Sequence, residues 1–422
     1  MTSKQRRQSR SRKSRPIRLG VVGLGRGHSF TGPGAEAAGF QLVAVCDQQP
    51  EKLKGFAKRP GVATYTDFDR FLKHDLDAVA LVNYFHQHAP LAIQALRAGK
   101  HVISETAACH TLAEGVALIR AVEQSGCTYM FAENYPYNRS NQEMRRLFRS
   151  GELGTFLYGE CEYVHPMNAH EGCTLRPGLD HWRNWVPATY YCTHGMGPAM
   201  FITDTRPTQV NGFVVPFPPD SPEYKLTVKR SDCASMIAVR MDNRAVVKLL
   251  QGNLRRHSSQ VRIYAARGYM EGNGRSVTVI RQQWHERRRY PEEVTYLPDF
   301  PEMHELALRS GHGGGDFFML YHFADAIRRK KQPYLDVYRG VAMSAVGIQA
   351  YRSALADGAP LPVPDFRKAA VRRQYEADDW SPDPARRRPG QPWPSIDGDI
   401  KPSATGLKHA RQIWRQMGYK GR

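Results

Sequence analysis

The apolar and polar positions of this chain fall into two regimes. Between residue 16 and about residue 135, short β-branched runs alternate with helical stretches. The runs are Ile17 to Val22, Leu42 to Cys46, Val62 to Tyr65, Ala78 to Val82, His101 to Ser104 and Cys127 to Phe131. Leu91 to Ala98 reads as a helix that Gly99 stops. Thr111 caps another that runs through Glu123, with Glu114 completing a capping box and Gly126 as the stop. Such alternation predicts a parallel sheet covered by helices on both faces. Ligands of such sheets lie beyond the carboxyl ends of the strands. Here those ends carry Asn83 to His88, Glu105 and Glu133-Asn134.

After residue 138 the pattern changes. A helix near Asn141 to Ser150 is followed by strand-like segments at 155–165, 208–216, 232–240, 245–251, 260–265 and 276–281. Strands in series predict an antiparallel sheet and hence a second, α+β domain. A helix begins near His194, and two more near 314–330 and 336–356 close the domain. From about residue 365 the chain turns proline-rich and charged, with Arg386-Arg387-Arg388-Pro389 and Trp393-Pro394. It reads as an extended arm, draped on the body or reaching a partner subunit.

The turn after the first run is Gly23-Leu24-Gly25-Arg26-Gly27-His28. Glycines at the end of a first parallel strand let the backbone approach a pyrophosphate, and free N–H groups at a helix start favour its charge. Asp47 closes the second run, near the roughly 20-residue offset of an acid that binds a ribose hydroxyl. No arginine stands at 48 or 49, which favours NAD over NADP. The fingerprint is imperfect: its third glycine falls on His28, and Gly32-Pro33-Gly34 shortens the first helix. An ordinary βα turn is the alternative. The reading is therefore α/β, with a Rossmann NAD-binding domain at 16–137. An α+β domain with a mainly antiparallel open sheet follows at 138–364. A disordered basic tail (1–15) and a Pro-rich arm (365–422) flank them.

Composition changes this picture little. The 422 residues carry a formal charge of +20. Residues 1–15 contribute Lys4, Arg6, Arg7, Arg10, Arg12, Lys13 and Arg15 without an acid. A solubilising arm is favoured over a nucleic-acid-binding one. Arg6-Arg7 lacks the apolar region and cleavage site of an export signal. No apolar run reaches the roughly 18 residues of a membrane span. Seven scattered cysteines with no C-x-x-C pair point to reduced thiols in the cytoplasm. His165, His170, Cys173 and His181 share one loop-rich stretch but lack the close pairs of a zinc site, so no metal is expected.

Three sets of residues carry a resemblance. They are Gly23-x-Gly25, Ala95-Leu96-Arg97-Ala98-Gly99-Lys100-His101-Val102-x-x-Glu105, and the order of the two domains. Over roughly residues 16 to 357 the chain resembles the glucose–fructose oxidoreductase/inositol dehydrogenase family (Gfo/Idh/MocA). That resemblance implies NAD(P) and sugar-like or cyclitol substrates. Dehydrogenases of the family follow the glutamate with Lys-Pro and place an aspartate four residues before the active-site histidine. Here Thr106-Ala107 follows Glu105, and Tyr190 precedes His194. Of the usual proton-handling set, the histidine alone remains.

Further strings are similar to the branch typified by bacterial NAD-dependent α-N-acetylgalactosaminidases. These are His88-Ala89-Pro90, Glu133-Asn134, Tyr163 in Glu-x-Tyr-x-His, and Trp182-Arg183 leading to Tyr191-Cys192-Thr193-His194-Gly195-Met196-Gly197-Pro198. Gly311-His312-Gly313-Gly314-Gly315-Asp316-Phe317-Phe318 completes the set. The branch implies that Gly23, Gly25, Arg26, Gly27 and Asp47 hold the adenosine diphosphate half of NAD. It implies that Asn83, Phe85, His86, Gln87, His88, Glu105, Thr106 and Asn134 line the rest. Tyr163, Arg183, Tyr191, Cys192, Thr193 and His194 would face a sugar, with His194 as base and Tyr163 or Tyr191 to hold or protonate the oxygen being oxidised or expelled. Cys192 stands where the branch commonly has proline, and Tyr269 lies near, but out of register with, a branch tyrosine.

The branch cleaves glycosides without the usual carboxylate pair. Transient oxidation of a ring hydroxyl acidifies the adjacent C–H, and NAD is recycled. A plain NAD-dependent sugar or cyclitol dehydrogenase, or a non-catalytic NAD-binding protein, are the competing readings. His312 and Asp316 read more simply as fixing a glycine turn, and Trp182 as packing. Family resemblance also implies a homo-oligomer built on the second domain's sheet.

Overall fold

The computed structural model describes residues 15–218, 220–283, 285, 287, 292–419 and 421. The basic tail lies outside the described residues apart from Arg15, which pairs with Asp77 at 3.3 Å.

The first six strands are β1 (Ile17–Val22), β2 (Phe40–Cys46), β3 (Ala63–Tyr65), β4 (Ala78–Leu81), β5 (His101–Ser104) and β6 (Tyr129–Phe131). They form one parallel sheet in the order β3-β2-β1-β4-β5-β6. Apart from the edge strand β3, their residues are mostly buried, as both-face coverage requires, and β4 is buried at all four positions. The strand order reverses between β1 and β4, and ligands of such sheets bind at that switch point. Thr111 caps the helix Leu112–Ser125 through the Glu114 N–H. The Glu114 carboxylate accepts from the His110 N–H at 2.9 Å, one residue upstream of the expected box.

The second sheet has nine strands. They are β7 (Phe156–Val164), β8 (Pro207–Val215), β9 (Ala234–Met241), β10 (Val246–Gly252), β11 (Val261–Ala265), β12 (Gly268–Gly272), β13 (Val277–Arg281), β14 (Glu292–Tyr296) and β15 (Leu361–Pro362). Their order is β14-β13-β12-β11-β7-β10-β9-β8-β15. Every neighbouring pair is antiparallel except β7 and β10. The strict alternation of β10 marks one face as core and the other as open. The core face is covered by the helix Thr193–Thr203, buried along nearly its whole length, and by Val337–Ala354. Glycines let these layers close: a Cβ on Gly340 would lie 2.8 Å from Phe131, and one on Gly212 only 2.1 Å from the Ala350 carbonyl. The helix Val337–Ala354 thereby ties both sheets into one hydrophobic core.

The C-terminal region is draped on the body, and it contains structure that an extended arm lacks. Helix Ala369–Tyr375 runs beside the Rossmann helix Leu112–Ser125, where Arg372 pairs with Glu123 at 2.7 Å. Helix Ala404–Gln416 buries Ala410, Ile413 and Trp414 against Cys173 and Val228 in a small separate core. The seven cysteines are unpaired and buried. No helix among the described residues is long and apolar enough to cross a membrane.

Candidate active site

Gly23 leaves β1 with φ +88° and packs against β4: a Cβ there would lie 2.6 Å from the Asn83 backbone. Gly23 is thus a structural glycine in a region that L side chains avoid. Gly25 differs, since a Cβ there would meet nothing within 4 Å. It opens the short helix Arg26–Phe30 toward the strand ends. Gly27 is buried against Val21. Asp47 holds the turn, accepting from the Leu24 N–H at 2.8 Å and the Gln49 N–H at 2.9 Å.

Across the switch point, the Asn83 side chain donates to Gln87 at 3.1 Å, while its amide oxygen Oδ1 is buried without a partner. Oε1 of Glu105 likewise lacks a hydrogen bond. Open space over Gly25 and the unpartnered Asn83 amide oxygen fit a dinucleotide, whose ribose hydroxyls and carboxamide can donate. Arg26 spans the cleft. Its guanidinium forms a two-pronged pair with Asp316, at 2.6 and 2.9 Å, and its Nε lies 3.3 Å from Glu105. Burial pushes the Glu105 carboxyl up; Arg26 pulls it back, and Asp316 and Glu133 push it further. Burial alone would raise Asp316 as well, but hydrogen bonds from His312 and Arg26 hold it well below the usual carboxylate range. Asn134 also donates to Asp316, at 3.2 Å.

His194 sits near the start of helix Thr193–Thr203, where its Nδ1–H donates to Glu133 Oε1 at 2.8 Å. Glu133 follows β6, is wholly buried, and leaves Oε2 without a partner. The pair crosses the domain boundary. Aromatic rings enclose the imidazole: Tyr163 at 4.3 Å, Tyr135 at 4.8 Å and Tyr191 at 5.9 Å between ring centres. Tyr163, Tyr191 and Trp182 form a near-parallel tier, 5° and 13° apart. Arg183 lies over Trp182 at 4.3 Å and donates to the Tyr191 hydroxyl. Burial pushes the Tyr163 and Tyr135 hydroxyls far above their ordinary range, so both remain donors at neutral pH.

The structure therefore brings together Arg26, Glu105, Asn134, Tyr163, Arg183, Tyr191 and His194 from five chain segments. Other expected residues have different surroundings. His88 is buried, its ring nitrogens 3.1 and 3.2 Å from the Ala107 and Asn83 carbonyls, and burial pulls it down to about 4. It is a neutral brace under the Asn83 loop, with no face to a cofactor. Phe85 is packed among Trp182, Trp185 and His110 rather than exposed. His86 packs at a tilt against Trp185, 5.4 Å between ring centres, and its Nδ1 is buried without a partner. Thr106 lies beside Glu105, whose carboxylate takes its N–H at 3.3 Å. Cys192 turns away from the tyrosines, its thiol 3.6 Å from the Met343 carbonyl. The Thr193 hydroxyl is buried and unpartnered. Tyr269 points elsewhere, donating to Glu271 on β12 at 2.5 Å.

Two residues play a part in space that their local sequence does not show. Glu133 was visible as an acid at a strand end, but its partner lies 61 residues away. Asp316 looked like part of a glycine turn; in space it anchors Arg26, 290 residues distant.

Residues 17–133 match the profile of an oxidoreductase family with an NAD-binding Rossmann fold. Residues 137–373, more than half of the chain, match the C-terminal domain of glycosyl hydrolase 109. An alpha-N-acetylgalactosaminidase of Tannerella forsythia is 27% identical over 418 residues, spanning 87% of this chain and 89% of its own length. A glycosyl hydrolase family 109 protein of Saccharopolyspora erythraea is 25% identical, spanning 87% of each. Among solved structures, levoglucosan dehydrogenase in complex with NADH and levoglucosan superposes with a TM-score of 0.71 at 20% identity. It covers 83% of this chain and 100% of its own. An oxidoreductase domain protein from Kribbella flavida gives 0.72 at 19% identity, with the same coverage. These structural likenesses establish the fold. With an NAD-binding Rossmann domain joined to a glycosyl hydrolase 109 domain, the chain belongs to the glycosyl hydrolase 109 family, within the wider Gfo/Idh/MocA fold.

Proposed function

We propose that this protein is an enzyme that cleaves a glycoside through transient oxidation of a ring hydroxyl, with NAD retained and recycled. The observation that carries this reading is the His194–Glu133 pair, set beneath Tyr163 and facing the cluster of Arg26, Glu105 and Asp316. Gly25, Asp47, Asn83, Glu105 and Asn134 are the residues that would hold the dinucleotide. NAD, when bound, supplies reversible removal of hydride from one sugar ring carbon, which acidifies the C–H next to it.

The chain's own groups do the rest. Glu133 accepts the Nδ1–H of His194, which leaves Nε2 with a lone pair to take the acidified proton. Tyr163 stays protonated and can donate to the departing glycosidic oxygen. Arg183 and Trp182 hold the sugar-facing tyrosine Tyr191 in place. A dehydrogenase that releases a ketone normally needs the lysine that Thr106 replaces and the aspartate that Tyr190 replaces. Tyr190 is buried and no acid stands there. That departure supports cleavage over net oxidation. The relative from Tannerella forsythia suggests an α-N-acetylgalactosaminide as first substrate.

The test uses purified protein and an aryl α-N-acetylgalactosaminide in deuterated water. Aryl release without net NADH, with deuterium entering the freed sugar, is the expected result. His194→Ala should lower turnover by about 10²- to 10⁴-fold, the usual worth of a general base. Steady NADH accumulation with the glycoside intact, or full turnover by H194A, would sink the reading.

A further inference from the structure

Beyond the carboxyl ends of β7, β8 and β10 lies a cavity of about 230 Å³. Met167 after β7, Phe217 after β8 and Asn253 after β10 form its walls, and Arg176 lines it. Asn253 fixes the geometry, accepting from the Met167 N–H at 2.6 Å and donating to its carbonyl at 3.1 Å.

Arg176 is only 8% exposed. Its Nε donates to the Gly172 carbonyl at 2.8 Å, and among the described residues no carboxylate pairs with it. Burial pulls its guanidinium down to about 10. A second cation adjoins it: Lys229 lies 5.5 Å from the Phe217 ring centre, and burial together with Arg176 pulls it down to about 8. Asp232 acts on Lys229, but its oxygens are engaged by Ser395 at 2.7 Å and by the Ile396 N–H at 3.4 Å. Arg176 in the cavity wall and Lys229 beside the wall residue Phe217 repel each other and lose hydration. An anion entering the cavity would relieve both costs.

One continuous segment links the cavity to the site. Tyr163, whose ring faces His194, lies on β7, and the same segment continues through His165 to Met167. On the other side, Arg183 and Tyr191 lie close enough to act on Arg176. We infer that this cavity is an anion subsite, receiving the carboxylate or sulfate of an acidic saccharide attached to the sugar in the cleft. The anion part stands on the cavity; the saccharide part rests on the proposed function.

Calorimetric titration of the full-length protein with D-glucuronate, D-glucose and inorganic sulfate tests this. Glucuronate should bind more tightly than glucose, and Arg176→Gln should weaken it by about tenfold, the worth of one charge-assisted contact. Because Arg176 also braces Gly172, Ser221→Glu is the second variant: it places a carboxylate on the cavity wall, leaves Arg176 intact, and should weaken glucuronate similarly. Tighter binding of glucuronate than sulfate supports a saccharide-borne anion. Equal binding of sulfate supports the anion site and overturns the saccharide part. Equal binding of glucose and glucuronate, or indifference to both substitutions, overturns the whole proposal. None of these probes carries a glycosidic bond, so the titrations report on the cavity whether or not the protein cleaves glycosides, and failure of one reading is distinguishable from failure of the other.

Discussion

Glu133→Gln removes one charge from the pair that orients the proposed base. The donor–acceptor distance is 2.8 Å, and Glu133 Oε1 also takes the Tyr135 N–H at 3.2 Å. A glutamine oxygen can occupy the same place, so the fold should survive. The new amide group would fall where Oε2 now stands buried without a partner. Hydrogen bonds to a charged group are worth about 1.5–3 kcal/mol, which at about 1.4 kcal/mol per decade is about ten- to 150-fold in rate. The loss should fall on kcat rather than KM, because the bond strengthens as His194 gains a proton. The assay is aryl release by cofactor-loaded protein, read beside the NMR shifts of the imidazole nitrogens. A purely structural role would move the melting point and leave those shifts alone. Turnover within about threefold of wild type, with unchanged ring-nitrogen shifts, would refute the assignment.

The two fingerprint glycines should separate. Gly23→Ala forces a side chain into φ +88° and against Asn83 at 2.6 Å, so thermal stability should fall by at least about 2 kcal/mol. Gly25→Ala meets no protein atom within 4 Å and should leave the melting point alone while weakening NAD retention by at least about tenfold; equal behaviour of the two variants would contradict this. Burial alone would raise Asp77, but hydrogen bonds from the Arg18 side chain and backbone bring it down to about 2. A depressed folded value stabilises above the unfolded value and is lost as pH falls through the folded one. Since the carboxylate is 30% exposed, the contribution is discounted to about 1 kcal/mol. Asp77→Asn should therefore flatten the stability curve between about pH 4 and pH 2, and parallel curves would disprove it. Trp414 is 3% exposed and donates to the Cys173 carbonyl at 2.9 Å. Trp414→Ala should cost about 3–5 kcal/mol of local stability and release the helix Ala404–Gln416 to hydrogen exchange. Unchanged exchange there would show that the helix docks by other means.

The first sheet was readable from the chain within about two residues at each strand, because a strand buried on both faces needs an unbroken apolar run between turn residues. The second sheet was less so. β14 is almost wholly exposed and shows no apolar period, and β12 begins and ends in glycine. Helix Ala404–Gln416 buries few apolar side chains, so its pattern is faint beside the prolines that precede it. At the site, local strings pointed to Arg26, Tyr163, Arg183, Tyr191 and His194. They also pointed to Phe85, His88 and Cys192, whose side chains face the core.

Linear order reveals which elements form, since a residue's neighbours at period 2 or 3.6 are already present in the chain. It therefore reached the two-domain architecture, the dinucleotide turn and the histidine. Which charges meet is a different matter, because Coulomb attraction and desolvation depend on distance and burial in space. Glu133 beneath His194 and Asp316 gripping Arg26 exist only once the two sheets are packed together, and Arg176 stands without a carboxylate, among the described residues, only once the segments beyond β7, β8 and β10 converge.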